Sequence, residues 1–551
     1  VCLERGWREF NSETGDQWNL WWRTSGFSVN HHRNLYAWQV KRTYINHIPK
    51  GSAICRKDNL VRYLRCMRKV YGSIYDFSPH GYNLPLEYTK LAAECSRNGR
   101  PFSSKSDAED KLLEEKPIWI CKPVAQSQGR GIFLFRKLSE LSYDSNTIVQ
   151  RYIEKPLLIG GYKFDLRLYV CIPSYHPVTI YMYKEGLARF GTDKFSLNDL
   201  RNPFRHLTNC SINKLGPGYT EMKDRIGSGC KWTLRQLRRY FQQAGISDWL
   251  LWQRISSLVI LTVLSHVNQI PPTVNCFEFF GFDVLIDSSL RPWLLEVNLS
   301  PALSNDCDAD RSVKKPMLHD MFDLLGLPLY NTGLSVFDIW LDESDENNTE
   351  EDKVERTKDA LTNSLPVLNA ADRWRRKHRK MSARQVRSRS SSAAHAPIRT
   401  VSATIPSNFR FNNFSKLLTF LIVEIIHLPK SNYNLPKNKP NYETNKHLLT
   451  KMFQSIEDLK KIANSKKWGN GRDWNCATSS EGGWIRIWPI VVEPLNKSNT
   501  SNVKQMVSTV IKYTKTAKDL VKNHPTASEC QLNEFLQQEM KMSGEIWIPP
   551  V

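Results

Sequence analysis

The twelve cysteines of this 551-residue chain include no CxxC pair. That excludes a zinc framework and a secreted disulfide scaffold, and makes reduced thiols in the cytosol the simplest reading. Long apolar runs are missing too. The most apolar stretches, 257–264 (SLVILTVL) and 417–428 (LLTFLIVEIIHL), are too short to span a bilayer, and the second carries Glu424, so both read as core elements. No signal-peptide pattern is visible, and the first residue is Val1 rather than Met, so a longer N-terminus is compatible with the sequence. The P-loop spacing GxxxxGK[ST] is absent as well: 122–135 (KPVAQSQGRGIFLF) and 227–233 (GSGCKWT) both miss it. No internal repeat is apparent.

What is present points to a packed protein. Hydrophobic content of 40%, with 17 tryptophans, is that of a globular body, and the length calls for more than one domain. A balance of 77 Lys and Arg against 55 Asp and Glu, +22 overall, implies a polyanionic partner. Nucleic acid, an anionic membrane and an acidic protein surface fit that charge equally well.

The chain divides by character. Apolar or alternating runs at 117–124, 131–135, 147–153, 163–172, 178–190 and 278–298 predict strands, and helical patterns fall near 233–244 and 249–267. Asp58 is expected to cap a helix lined by Leu60, Leu64, Met67 and Tyr71 and ended by Gly72. The order predicts an α+β body whose sheets meet at a cleft. Beyond about residue 335 an acidic run (342–355) precedes a tract of nine Arg and Lys without an acid (373–389), then a Ser/Ala/Pro-rich linker to about 408. Residues 449–462 carry a helical apolar pattern, but 405–551 offer no chemistry.

Three stretches of the first part carry candidate chemistry. In 163–170 (KFDLRLYV), Lys163, Asp165 and Arg167 share one strand face. In 122–135, Gly129 and Gly131 let backbone amides approach phosphate oxygens, with Lys122 and Arg130 adding charge. In 280–301, Asp283 and the pair Glu296 and Asn298 of WLLEVNLSP sit in adjacent predicted strands. Leu295, Val297 and Leu299 are expected on the opposite face from that pair. Three hard oxygen ligands suit Mg²⁺ completed by nucleotide phosphates, and soft ligands for zinc or copper are absent there.

The ordered segments 46–60 (NHIPKGSAICRKDNL), 119–135 (WICKPVAQSQGRGIFLF), 148–170 (IVQRYIEKPLLIGGYKFDLRLYV), 185–190 (EGLARF), 206–213 (HLTNCSIN), 280–287 (FGFDVLID) and 293–301 (WLLEVNLSP) resemble the tubulin tyrosine ligase-like family, its glutamate-adding branch above all. The resemblance covers roughly residues 17–330. It implies an ATP-grasp-like two-lobed ligase core that uses ATP and Mg²⁺. On that pattern 1–110 form an N-terminal lobe, 111–335 the catalytic region, 336–408 a charged linker and 409–551 a largely irregular or helical extension. Lys122 resembles a phosphate-contacting lysine, and Gln128, Gly129, Arg130 and Gly131 the loop over the phosphates. In the family the position of Gln128 is also linked to the choice between starting and extending a chain. Gln150, Arg151, Tyr152 and Ile153 resemble the hinge that receives adenine, while Lys163, Asp165, Thr208 and Asn209 match further nucleotide contacts. Asp283, Glu296 and Asn298 match the magnesium ligands.

The reaction that the resemblance implies is activation of a tubulin glutamate carboxylate as an acylphosphate, then attack by the amine of free L-glutamate. Little covalent chemistry is left to the protein, so positioning and charge should dominate. Arg167 is expected to hold the transferring phosphoryl group, and Arg189 to grip the incoming amino acid's carboxylate, with Ser211, Lys231 and Leu299 around it. Cys210 stands where relatives commonly carry an aromatic residue, and Leu299 where they vary, which leaves amino-acid choice open. The expected partners are microtubules, through tubulin's acidic tails, with no nucleic acid and no membrane. The expected state is a monomer in the cytoplasm, on the cytoskeleton and at the cilium or basal body. Two other readings stay open: a ligase of the same fold that adds glycine or modifies another acidic protein, and a catalytically dead microtubule-binding protein.

Overall fold

The computed structural model describes residues 1–7, 9–10, 19–27, 44–97, 117–124, 129–143, 146–220, 230–273, 275–327, 472–491, 502–542 and 544–551. These fall into two compact units. The smaller joins Val1–Trp22, Val40–Tyr44 and Gly326–Asp473. Within it the Tyr44 amide donates to Asn19 O at 2.7 Å and the Arg5 guanidinium to Leu327 O at 2.9 Å. Gln128, the acidic run 342–355, the basic tract 373–389, the linker to 408, the run 417–428 and the helical pattern at 449–462 lie outside the described residues.

The larger unit, Arg23–Gln39, Ile45–Leu325 and Trp474–Val551, holds two antiparallel sheets. The first has four strands, β1 (Gly81–Leu84), β2 (Trp119–Pro123), β3 (Phe133–Phe135) and β4 (Thr147–Arg151), in the order β1-β4-β2-β3. Alternation divides its faces. Tyr82, Trp119, Cys121, Phe135 and Val149 pack with Leu91 of a covering helix (Tyr88–Arg97), while Ile118, Ile120 and Tyr152 gather with Leu207 in a separate cluster.

The second sheet is built on one long strand. Among the described residues its nine strands are β5 (Leu158–Ile159), β6 (Tyr162–Tyr175), β7 (Val178–Tyr183), β8 (Leu187–Phe190), β9 (Lys231–Thr233), β10 (Glu278–Ile286), β11 (Pro292–Asn298), β12 (Ser480–Glu481) and β13 (Trp484–Trp488). Residues 166–172 of β6 pair with β10, which pairs onward with β11. On its other edge β6 pairs first with β8, at 164–167, and further along with β7, at 170–175. One face of β6 presents Phe164, Leu166, Leu168, Val170 and Ile172, all fully buried, to the same hydrophobic core as helix α1 (Lys57–Tyr71) and helix α4 (Trp249–Leu264). Between those two helices come α2 (Tyr88–Arg97) and α3 (Leu234–Gln243).

Several local details differ from the sequence expectation. Asp58 lies inside the first turn of α1, and Arg56 occupies the N-cap position and ion-pairs with Asp58 at 2.8 Å. Leu60 and Leu64 are buried as expected, and Gly72 ends the helix with φ +76°. The run 178–190 is two strands, because Gly186 turns the chain against Arg167 O, which a Cβ there would approach to 2.6 Å. The stretch Trp249–Gln269 has the length and hydropathy of a membrane span, beyond the short run read from sequence. Almost all of α4 is buried in the core.

The described C-terminal residues belong to the same unit. β13 pairs with β7, and helices α5 (Asp308–Leu324), α6 (Val503–Asn523) and α7 (Glu529–Met540) complete the body. Tyr513 OH donates to Gln253 Oε1 of α4 at 2.6 Å, and Trp547 Nε1 donates to Tyr183 O at 3.0 Å. These residues thus have a packing role that the sequence left unassigned.

Candidate active site

Opposite residues in an antiparallel pair point to the same face. Register therefore decides what shares the cleft side of the large sheet. Asp283 of β10 lies opposite both Glu296 of β11 and Arg167 of β6. Arg189 of β8 lies opposite both Asp165 of β6 and Lys231 of β9. Five adjacent strands thus put Asn298, Glu296, Asp283, Lys163, Asp165, Arg167, Arg189 and Lys231 on one surface. The charged alternation in 163–167 is the strip at its centre.

The charges on this surface are closely matched. The Arg167 guanidinium donates to both Asp283 oxygens, at 2.5 and 3.1 Å. Arg189 spans the two Asp165 oxygens at 2.8 and 2.5 Å and lies 2.8 Å from Asp283 Oδ2. Burial would raise the Asp283 carboxyl, but the two guanidiniums outweigh it and hold the group well below the usual carboxylate range. Geometry and electrostatics agree that Asp283 is ionised.

The small sheet faces this surface with a cation of its own, Lys122, across from Lys163 of β6. Lys122 donates to Gln150 Oε1 at 2.9 Å, and Lys163 to Tyr152 OH at 2.9 Å and His206 O at 2.8 Å. Burial lowers both lysines, Lys122 to about 8 and Lys163 to about 7, although nearby carboxylates pull each the other way. Between the sheets lies a cleft with roughly 850 Å³ of empty space, open solvent included. Ile120, Ile132, Leu207, Leu285 and Leu295 supply its apolar walls; Lys122, Lys163, Asp165, Arg189, Asp283 and Glu296 its polar floor.

Past β2 the described chain resumes at Gly129. Its φ of +78° and Gly131's of +68° suit glycine, and a Cβ on Gly129 would lie 2.9 Å from Asn209 Oδ1. Thr208 and Asn209 border the cleft where the chain enters a one-turn helix, Cys210–Asn213.

Most predicted residues converge. Lys122, Gly129, Gln150, Arg151, Tyr152, Ile153, Lys163, Asp165, Arg189, Thr208, Asn209, Asp283 and Glu296 all line the cleft. Arg167 stands just behind through Asp283. Arg130, Gly131, Ser211, Lys231 and Asn298 are not among its lining residues; Lys231 instead ion-pairs with buried Asp310 at 2.7 Å. Leu299 packs against the hydrophobic core.

One expectation is corrected. Leu295 does not share a face with Val297, because a bulge interrupts the β10–β11 ladder: Glu296 pairs with Asp283, but Leu294 with Val284. The extra residue turns Leu295 into the cleft beside Glu296, while Leu294 and Val297 are buried. Sequence reasoning also missed Lys57, which lines the cleft and lies 3.6 Å from Glu296. Its signal was present in 46–60, but the helix pattern drew attention to the apolar positions. Pro79, His206 and Leu285 were missed as well.

Among the described residues no three His, Cys, Asp or Glu side chains are grouped to hold a metal. The expected donor set is two carboxylates and one carboxamide. Asn298 Nδ2 donates to Gly281 O at 3.3 Å, which leaves its oxygen uncommitted by that bond. Hard oxygens alone on a surface beside a cationic cleft fit Mg²⁺ shared with phosphates.

Two α+β lobes around a cleft, with lysines on both sides and carboxylates on the larger sheet, form an ATP-grasp-like architecture. A family description, tubulin-tyrosine ligase family, matches residues 37–332, and the chain belongs to that family. It is 46% identical over 330 residues to the "Probable tubulin polyglutamylase TTLL2" of Homo sapiens, covering 59% of this chain and 53% of that protein. The Mus musculus protein of the same name is 47% identical over 331 residues, 59% of this chain and 58% of that protein. The Homo sapiens "Tubulin monoglutamylase TTLL4" is 35% identical over 334 residues, 58% of this chain and 26% of that protein. The chain thus spans about half the length of the first two relatives.

Proposed function

We propose that this protein is an ATP- and Mg²⁺-dependent carboxylate–amine ligase that adds L-glutamate to glutamate side chains in the acidic C-terminal tails of tubulin. The observation that carries this reading is the pairing of two arginines with two carboxylates on the cleft floor, opposite Lys122. The names of the relatives support the choice of tubulin and of glutamate.

ATP supplies the phosphoryl group that turns the acceptor γ-carboxylate into an acylphosphate, with ADP as leaving group; the glutamate amine then bonds to the acyl carbon, phosphate departs and the amine gives up a proton. The chain's part is to hold and orient. Gln150 to Ile153, with Ile120 and Leu207, offer a base a polar edge and an apolar wall. Lys122 and Lys163 hold phosphate oxygens. Arg167 stabilises charge on the transferring group, its fork fixed by Asp283. Arg189, fixed by Asp165, grips the carboxylate of the amino acid. Asp283, Glu296 and Asn298 would hold Mg²⁺, which neutralises phosphate charge when bound.

The basic tract 373–389 supports a role for tubulin's acidic tails: a cationic segment raises local substrate concentration without a shaped pocket. We place the protein as a monomer on cytoplasmic microtubules, including those of cilia. The test is ATP-dependent incorporation of radiolabelled glutamate or glycine into purified microtubules. Glutamate incorporation is the expected result. Glycine incorporation would reassign the amino acid, and neither, with microtubule binding intact, would make the chain a binding protein.

A further inference from the structure

On the core side of the large sheet lies a buried ionisable pair that the mechanism above does not use. Alternation along β10 turns Gly281 and Asp283 toward the cleft and Glu278, Phe280 and Phe282 toward the core. Glu278 is 0% exposed, and a carboxylate beside those phenylalanines is costly unless its oxygens are bonded. Both are. Oε1 accepts from the Ile48 amide at 2.9 Å, and Oε2 lies 3.1 Å from His47 Nδ1. His47, itself buried, donates through Nε2 to Arg23 O at 2.9 Å. A carbonyl oxygen only accepts, so Nε2 carries a proton, and Nδ1 and Oε2 share one more between them.

The pair ties down a loop. Just before it the chain runs beside the start of β10, where Ile45 N donates to Asn275 O at 3.0 Å and Phe277 N to Ile45 O at 3.1 Å. Just after it a 3-10 turn, Gly51–Cys55, packs against β11 and delivers the chain to Lys57, the first residue of α1. Gly51 has no room for a side chain: a Cβ would lie 2.3 Å from Glu278 Oε1. Burial pushes up the Cys55 thiol, and both Glu278 and Glu296 add to that, so the turn spans from one carboxylate to the other. Lys57 then meets Glu296 at 3.6 Å on the cleft wall.

We infer that His47 and Glu278 are positioning residues of the cleft: their buried pair fixes the segment that holds Lys57 against Glu296, and so sets nucleotide affinity from outside the cleft. This role rests on the ligase reading above, in which the cleft takes ATP. Neither residue lines the cleft. Glu278 stands five residues before Asp283 on β10, about 17 Å at about 3.4 Å per residue. What the pair supplies is register. A loop held by apolar contacts alone slides at little cost, whereas a carboxylate bonded at both oxygens fixes one backbone amide and one ring together. The turn has a second anchor, His266 Nε2 donating to Lys50 O at 3.0 Å. Breaking the pair therefore leaves the segment attached but out of place.

The test is calorimetric binding of ATP with Mg²⁺ to the full chain, which needs no turnover. Gly51→Ala is the chief variant, because it displaces the Glu278 carboxylate and leaves every cleft residue unchanged. It should weaken ATP binding about tenfold, as for one charge-assisted contact moved out of position. Lys57→Met removes the cation itself and should do the same. The double variant should lose about tenfold rather than about a hundredfold, because both changes act through one contact. Glu278→Gln should bind ATP within about twofold of wild type: its carbonyl accepts from Ile48 N and its amide donates to His47 Nδ1, so the pair stays closed. At saturating ATP, the apparent KM for glutamate in microtubule labelling should stay within about twofold in Gly51→Ala, since Arg189 is held by Asp165 rather than by this loop. A lowered unfolding midpoint in Gly51→Ala with unchanged ATP affinity would reduce the pair to a stabilising contact and overturn the positioning role. Additive losses in the double variant, or Glu278→Gln binding as weakly as Gly51→Ala, would overturn it too. A wild-type protein that binds no ATP would overturn the ligase reading, and this role with it.

Discussion

Two buried arginine networks in the larger unit look alike on paper and do different things. On the cleft floor Arg189, and just behind it Arg167, use Nε and Nη2 on Asp165 and Asp283, and among the described residues neither Nη1 donates to an acceptor. Elsewhere in the unit, Arg238 of α3 uses its whole fork: Asp248 at 2.8 and 3.2 Å, Glu529 at 2.5 and 3.4 Å, and Pro549 O at 2.6 Å. Trp252 donates to the same Asp248 at 2.7 Å and packs edge-on against Trp547. The first network keeps donors for something that arrives; the second spends all of its donors within the chain. Burial of charge alone therefore does not mark a site. What marks it is an incomplete set of partners that opens on a cleft.

The sharpest way to test that contrast is to disable each network and ask what is lost. Glu296→Gln keeps the shape of the residue on β11 and removes one ligand charge from the Asp283 surface. Ligation should fall by on the order of 10²–10³-fold, as for loss of a preorganised charge contact, with the unfolding midpoint near wild type. Near-normal turnover at limiting Mg²⁺ would remove this strand from the metal site. Arg238→Met should do the reverse. It leaves Asp248 buried without its cation, at a cost of about 3 kcal/mol; Glu529, 39% exposed, can turn to water. Urea unfolding should show that loss, while the KM values for ATP and glutamate stay put. A changed KM with unchanged stability would tie the clamp to the cleft.

How far each network could be read from the sequence follows from the same difference. The cleft floor was legible because strand alternation fixes facing: Lys163, Asp165 and Arg167 had to share a side, as did Glu296 and Asn298. Strand order was not legible, so neither was the fact that Asp283 would meet Arg167 and Arg189 together. The bulge that turns Leu295 into the cleft changes the two-residue period at a single point, and nothing in WLLEVNLSP announces it. The Arg238 clamp joins residues some 290 to 310 positions apart, and a lone arginine in an amphipathic helix reads as a solvated charge. Lys57 was hidden in the same way, by a helix pattern that explained its neighbours. In each case local periodicity was readable and long-range pairing was not.

The smallest effect, and the most specific to the cleft, is in pH. Burial lowers Lys163 to about 7 and Lys122 to about 8, so in the free protein both lose protons as pH rises from 7 to 9. A bound triphosphate sets negative charge against them and raises both. The complex then holds more protons than the free protein across that window, and nucleotide affinity must fall as pH rises, by at most about tenfold per unit for each lysine. Stability of the free protein runs the other way. The folded lysines titrate below the ordinary value of 10.5, so the unfolded chain binds more protons from pH 7 upward. Their contribution therefore stabilises the fold increasingly with rising pH, and is lost as pH falls toward 7. The Arg238 clamp adds nothing to either trend, because a guanidinium stays charged throughout. Nucleotide affinity by calorimetry from pH 7 to 9, in buffers of different ionisation enthalpy, should show proton uptake on binding. Lys163→Met should weaken binding at pH 7 and reduce that uptake, while Arg238→Met should leave it as in wild type. Binding that is independent of pH in the wild-type protein would mean that neither lysine meets the phosphates.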